Sequence, residues 1–199
     1  MAELDLLLHV CCAPCATYTV QYFRDRDIRV TAYWFNPNIQ PYSEHERRRE
    51  CLALYASGIR LPVIWEQRYR LVDFLRAVAG REGYRERCLC CYRLRLEQAV
   101  SVAAARGFHA VGTTLLISPY QDQEAIIEIG SQLAAQKGLL FHTANLRQGY
   151  AASRKMAREA ALYMQRYCGC IFSEWEALDR SATTLPQKRH PWEKQDRHA

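Results

Sequence analysis

Leu4-Asp5-Leu6-Leu7-Leu8-His9-Val10 runs without a break into Cys11-Cys12-Ala13-Pro14-Cys15, and residues 16–25 then take on a helical composition. An apolar run this short, stopped by a turn and followed by a helix, reads as a buried strand handing over to a helix. The next segment, Ile28-Arg29-Val30-Thr31-Ala32-Tyr33-Trp34-Phe35, is β-branched and aromatic and reads as a second strand, stopped at Asn36-Pro37-Asn38. Strand, helix, strand is the unit that lays two parallel strands side by side.

The alternation continues to the end of the periodic sequence. Residues 43–57 are charged and helical, with Ser43 and Glu46 spaced as a capping box. Residues 61–66 read as a strand and 71–79 as a helix. A long helix over 92–106 stops at Gly107, a strand follows over 110–116, and a helix over 124–136 stops at Gly138. A strand over 139–144 and a helix over 150–166, running into the last cysteines, complete the pattern. The expected fold is a single-domain α/β, Rossmann-like parallel sheet with helices on both faces, spanning residues 1–178. Residues 179–199 lose periodicity, gather Pro186, Pro191 and charges, and are expected to form a basic tail on the surface.

In such sheets ligands bind beyond the carboxyl ends of the strands, which is where Cys11-Cys12-Ala13-Pro14-Cys15 falls. No Gly-rich loop or Walker lysine accompanies it, so nucleotide hydrolysis is disfavoured; the helix N-terminus favours thiolates there instead. The nine cysteines of the chain are mostly clustered: Cys11-Cys12-x-x-Cys15, Cys88-x-Cys90-Cys91 and Cys168-x-Cys170. Cys51 stands alone in a helical stretch and reads as a small hydrophobe, and Cys90 is crowded between its neighbours as a spectator. Each cluster has too few thiolates to close a tetrahedral or cubane site, so a fold that gathers all three around zinc or iron–sulfur is the economical reading. A disulfide scaffold is disfavoured by the odd number and by an N-terminus, Met1-Ala2-Glu3-Leu4-Asp5, unlike a secretory signal.

No stretch has the apolar length of a membrane span, and a cytoplasmic protein is expected. With 27 Lys+Arg against 21 Asp+Glu, net charge is +6, and the basic residues are mostly arginine. That balance suits phosphate, and hence a nucleic acid. The basic groups open to it are Arg47-Arg48-Arg49, Arg85 with Arg87, and Lys188-Arg189; Glu44, Glu46 and Glu50 offer the triplet local partners instead. The segment from Gly112 to Asp122 is polar where a strand ends. Thr113, Thr114, Ser118 and Tyr120, with Asp122, suit a polyhydroxylated ligand or proton relay, or an N-cap turn before the next helix. Asn36-Pro37-Asn38 reads as a rigid turn, and His9 as a core histidine.

Taken together, His9-Val10-Cys11-Cys12-Ala13-Pro14-Cys15, Asn36-Pro37-Asn38-Ile39, Cys88-x-x-Cys91-Tyr92-x-x-Arg95-Leu96, Thr113-Thr114-Leu115-Leu116-x-Ser118-Pro119-Tyr120-Gln121 and Tyr167-Cys168-Gly169-Cys170-x-x-Ser173 resemble the epoxyqueuosine reductases of the QueH type. The five motifs occur in order from about residue 6 to 173. The resemblance implies a cytoplasmic enzyme of the last step of queuosine biosynthesis, reducing the epoxide of epoxyqueuosine in tRNA. It also implies a fold like the adenine-nucleotide alpha-hydrolases, a [4Fe–4S] cluster and a second, mononuclear metal, iron or zinc. Some members carry Asp at the last position of the first motif, where this chain has Cys15.

Removing an epoxide oxygen as water takes two electrons, two protons and a Lewis acid, and an external electron donor must supply the electrons. On this basis Cys11, Cys88, Cys91 and Cys168 are expected to hold the cluster, and Cys12, Cys15 and Cys170 the single metal. Tyr120 and Asp122 are expected to deliver protons, while Asn36, Asn38, Thr113, Thr114, Ser118 and Gln121 bind substrate. Two other classes stay open: a structural-zinc nucleic-acid-binding module, which would be colourless, and a metal-free thiol oxidoreductase through Cys12 and Cys15.

Overall fold

The computed structural model describes residues 4–179. Five strands, β1 (Asp5–His9), β2 (Arg29–Trp34), β3 (Val63–Trp65), β4 (Ala110–Thr113) and β5 (Leu140–Phe141), form one sheet in the order β3-β2-β1-β4-β5. Every pairing is parallel. The helices are α1 (Ala13–Arg24), α2 (Tyr42–Gly58), α3 (Leu71–Val78), α4 (Tyr84–Ala105), α5 (Gln123–Ala135), α6 (Tyr150–Glu159) and α7 (Ile171–Leu178). The chain leaves β1 first toward β2 and β3, then returns to the opposite edge of β1 through β4. The crevice at a reversal of this kind opens at the carboxyl ends of the two central strands, here β1 and β4.

Side-chain alternation along β1 divides the core. Leu7 faces Leu96, Ala99 and Val100 of α4 and Ile126 of α5. Leu6 and Leu8 face Ala16, Val20 and Phe23 of α1 and Leu52 of α2. All three leucines are fully buried, each stabilising the fold by roughly 1.5–3 kcal/mol, and a strand buried on both faces carries no polar alternation.

Several boundaries differ from the sequence expectation, for local reasons. Helix α2 starts at Tyr42 after Pro41 and has no side-chain cap, because Glu46 is taken by His45 Nδ1 (3.0 Å) and Arg49 (3.1 Å). Strand β4 ends at Thr113, whose hydroxyl accepts from Leu115 N and starts a 3-10 turn over Thr114–Ile117. Helix α6 ends at Glu159, and Ala161 adopts φ +50°. The following segment is irregular up to α7, which the sequence reading did not expect. Helix α4 begins at Tyr84, eight residues before the expected start, and so carries the second cysteine cluster within it.

Candidate metal centre

The first cluster sits on the β1–α1 turn. Cys12 is the extended N-cap residue of α1 (φ −169°, ψ 161°), so Cys11 and Cys12 leave the strand in different directions before the helix takes up Cys15. One hydroxyl fixes Cys11 twice: Thr114 Oγ1 accepts from Cys11 N at 3.0 Å and donates to Cys11 Sγ at 3.2 Å. From α6, Ser153 Oγ donates to Pro14 O at 2.6 Å and holds the turn from below. The Sγ atoms of Cys11, Cys12 and Cys15 lie within 4.8 Å of one another.

The second cluster obeys helix geometry. Cys88 and Cys91 are three residues apart on α4 and share a face, whereas Cys90 is turned away and contacts exposed Arg81 at 3.6 Å. The third cluster lies on the loop before α7, and buried Arg48 anchors it by donating to Tyr167 O (3.2 Å) and Cys168 O (3.1 Å). Between its two cysteines, Gly169 has φ +138°, and a Cβ there would come to 3.0 Å from Asn38 and Ile39. Glycine therefore permits both the backbone conformation and the approach of this loop to the Asn36-Pro37-Asn38 turn. Cys168 Sγ lies 4.0 Å from Cys170 Sγ and 3.0 Å from Ser173 Oγ.

The three clusters meet. Cys11, Cys15, Cys88, Cys91, Cys168 and Cys170 all line one open cavity at the carboxyl edge of the sheet. Cys12 is buried beside it and accepts from Gln165 Nε2 at 2.9 Å. All of these thiols are free of disulfides. Within the set, Cys91, Cys168 and Cys170 pack with Phe74 and Val78, while Cys88 packs against the same core cluster as Cys11 and Cys15.

The electrostatics of the thiols fit a cation. Hydrogen bonding with Cys12 and Cys15, helped by Arg95 and Thr114, holds the Cys11 thiol well below its ordinary range. Hydrogen bonding with Cys170 and Ser173 lowers Cys168 to about 5. The others move the opposite way. Burial pushes Cys12 up to about 12 and raises Cys88 and Cys91, while the hydrogen bonds to Cys11 and Cys168 raise Cys15 and Cys170. So many thiols cannot all ionise together in so small a volume unless metal cations replace their protons. The donor set, all sulfur, suits zinc or iron–sulfur.

The other expected site residues divide into two groups. Asn38, Ser118, Tyr120 and Gln121 line the cavity. Asn38 Oδ1 is buried with no hydrogen-bond partner among the described residues, so it is free to accept from a ligand hydroxyl. Asn36, Thr113 and Thr114, expected to touch substrate, are instead buried supports outside the lining. Asn36 Nδ2 donates to Val10 O (2.8 Å), and Thr113 Oγ1 lies 2.8 Å from His9 Nδ1. His9 Nε2 faces Phe35 O at 3.2 Å and must donate to it, so Nδ1 accepts from Thr113; burial lowers this ring to about 3 and keeps it neutral in the core. Asp122 accepts from Ala125 N at 3.1 Å as the N-cap of α5, and its own N–H donates to Tyr92 Oη at 3.2 Å.

The expected RNA-facing arginines need correction at two positions. Arg48 and Arg87 are each 2% exposed and pair with Glu44 (2.6 Å) and Glu176 (2.5 Å), so neither is available to a phosphate. Arg49 is partly exposed and paired with Glu46. Arg47 and Arg85 are exposed. Lys188 and Arg189 lie outside the described residues, as does nearly all of the expected tail. Sequence reasoning passed over Gln165 and Ser153, and quoted Arg95 in the second motif, one helical turn beyond Cys91, without giving it a role.

The family model of epoxyqueuosine reductase QueH matches residues 6–176. The epoxyqueuosine reductase QueH of Dehalococcoides mccartyi is 36% identical over 176 residues, covering 88% of this chain and 95% of that protein. That of Thermotoga maritima is 32% identical over 193 residues, 93% of this chain and 98% of the relative. That of Streptococcus pyogenes is 31% identical over 182 residues, 85% of this chain and 70% of the relative.

Proposed function

Because the chain belongs to the epoxyqueuosine reductase QueH family, we propose that it reduces the epoxide of epoxyqueuosine in a tRNA anticodon to the cyclopentene of queuosine. It is an oxidoreductase of tRNA modification. The observation that carries the reading is the convergence of six cysteines from three separate segments on one cavity.

In this proposal Cys88, Cys91, Cys168 and Cys170 hold a [4Fe–4S] cluster, and Cys11, Cys12 and Cys15 hold a single iron or zinc with a position left open. This moves Cys11 and Cys170 relative to the division expected from sequence. One separation and one packing contact support the move. The first-cluster sulfurs lie within 4.8 Å of each other, close to the roughly 3.8 Å that tetrahedral ligands of one metal show at 2.3 Å bonds. Cys170 packs with Cys168 and Cys91.

The bound centre supplies single electrons, delivered from an external donor, and a Lewis-acid position for the departing oxygen. The remaining work falls to side chains. Asn38 Oδ1, Ser118 and Gln121 present acceptors and donors to the hydroxyls of the substrate ring. Tyr92 Oη donates to Gln121 Oε1 at 2.8 Å and so fixes the orientation of that amide. Tyr120 lines the cavity as the proposed proton donor, edge-on to Tyr150 at 6.0 Å between ring centroids. Burial and Tyr120 push Tyr150 up to about 12, so its phenol stays protonated beside Tyr120. The carboxylate of Asp122 orients this loop by capping α5.

The test is anaerobic reconstitution, analysis of iron and sulfide, and turnover of epoxyqueuosine tRNA with a low-potential reductant. The nucleoside recovered should have lost one oxygen. A colourless protein that binds only zinc and leaves the epoxide intact would sink the proposal.

A further inference from the structure

Helix α4 presents a second group to the cavity one turn beyond Cys91. Arg95 is only 4% exposed, yet it lines the cavity wall. Its Nη2 donates to Asn36 Oδ1 at 2.8 Å, and its Nη1 lies 3.8 Å from Cys91 Sγ. Asn36 is itself pinned by its bond to Val10 O, so the fork of the guanidinium has a fixed anchor. Arg95 Nε has no hydrogen-bond partner among the described residues.

The other two deeply buried guanidiniums, Arg48 and Arg87, are each neutralised by a glutamate. Among the described residues no carboxylate pairs with Arg95. An arginine cannot shed its proton, and an unpaired buried cation is costly enough that it is retained only where an anion faces it. The anion within its reach is a sulfur, Cys91 Sγ, 3.8 Å from Nη1, in a cavity that Cys11, Cys88 and Cys168 also line. A cluster ligated by thiolates is anionic overall, and each electron added makes it more so. A fixed positive charge at its edge therefore stabilises the reduced form over the oxidised one.

We propose that Arg95 is the buried counter-charge of the metal centre and raises its reduction potential. The inference rests on the metal-centre reading above and assigns Arg95 a positioning and tuning role, distinct from contact with substrate. Asn36 belongs to the same device as its anchor, which explains why that turn residue is buried instead of facing the substrate.

The experiment is a redox titration of the reconstituted full chain, followed by absorbance, for the wild type, Arg95→Gln and Arg95→Lys, with iron and sulfide counted on each. Arg95→Gln should disfavour reduction at least tenfold, which is about 59 mV for a one-electron couple. Arg95→Lys keeps the charge without the fork and should move the equilibrium less than threefold. Equal potentials in fully loaded wild type and Arg95→Gln would overturn the inference while leaving the metal-centre reading intact. A wild type that binds no iron or sulfide removes both. If Arg95→Gln keeps the unfolding temperature of the apo wild type but cannot hold the cluster, the counter-charge is needed even for assembly, which supports the proposal. If Arg95→Gln does not fold, Arg95→Lys decides: a loaded Arg95→Lys shifted tenfold or more overturns it, and a shift below threefold upholds it.

Discussion

Cys88, Cys90 and Cys91 have the same chemistry, and helix phase alone separates them. Two residues rotate a side chain by about 200°, so Cys90 leaves the face that Cys88 and Cys91 share. Cys90→Ser should then leave iron and sulfide unchanged, whereas Cys91→Ser should lose acid-labile sulfide and the cluster absorbance. Cys12→Ser should remove about one metal per chain and spare the sulfide; loss of sulfide in that variant would return Cys12 to the cluster. At the same scale, Arg48 shows why a basic triplet cannot be read as a surface. It pairs with Glu44 at 2.6 Å and supports two carbonyls of the third cluster's loop. Arg48→Ala leaves the buried Glu44 carboxylate without its counter-charge, with only the Tyr163 hydroxyl at 2.8 Å, and should cost about 3–5 kcal/mol in denaturant unfolding of the apo protein. An unchanged unfolding midpoint would mean that Glu44 finds another partner.

Elements place the residues. Helix α6 lies against α1 so closely that a Cβ on Gly149, just before α6, would come to 2.0 Å from the ring of Tyr18. Gly149→Ala should therefore destabilise the fold by about 1–3 kcal/mol through overpacking, and Tyr18→Leu in the same chain should recover most of it. Additive losses in the double variant would show that the contact is not what constrains α6. The strands and α1, α3 and α5 were legible in the sequence because hydrophobic period and Gly stops agreed with the final packing. The run from Leu4 to Val10 also located the site, since a buried parallel strand delivers its next residues to the carboxyl edge. What stayed hidden depended on distant partners. The cysteines at 88–91 read as a separate cluster, because a helix can extend through polar sequence when Tyr92, Leu96 and Ala99 bury its other turns. Helix α7 is short and gains its place from the loop that Arg48 holds. Thr113, Thr114 and Asn36 are polar residues at strand ends, and only the registers of β4 and β2 beside β1 turn their hydroxyls and amide inward onto His9, Cys11 and Val10.

At the scale of the whole molecule, the net charge of +6 is not spread as the arginine count suggests. Arg48, Arg87 and Arg95 are buried, so their charge works inside the fold. The described cations left near the cavity mouth are fewer. Arg154 lines the cavity itself, and Arg47 stacks over the Tyr163 ring at 4.0 Å beside Arg166 in a shallow surface cleft. Tyr167 lines both that cleft and the metal cavity, so a strand threading a base into the cavity can lay its neighbouring nucleotide along Arg47 and Tyr163. Drawing a base out of its stack costs a few kcal/mol, and the cleft offers stacking and phosphate neutralisation to offset it. The expected outcome is that Arg47→Ala weakens tRNA binding by roughly 1 kcal/mol and lowers the slope of log K against log salt by about 1. Turnover of the free epoxyqueuosine nucleoside, which has no flanking phosphates, should be unchanged in that variant. Wild-type turnover of nucleoside and tRNA at equal efficiency, with no salt dependence on tRNA, would show that recognition ends at the base and that the exposed arginines serve another purpose.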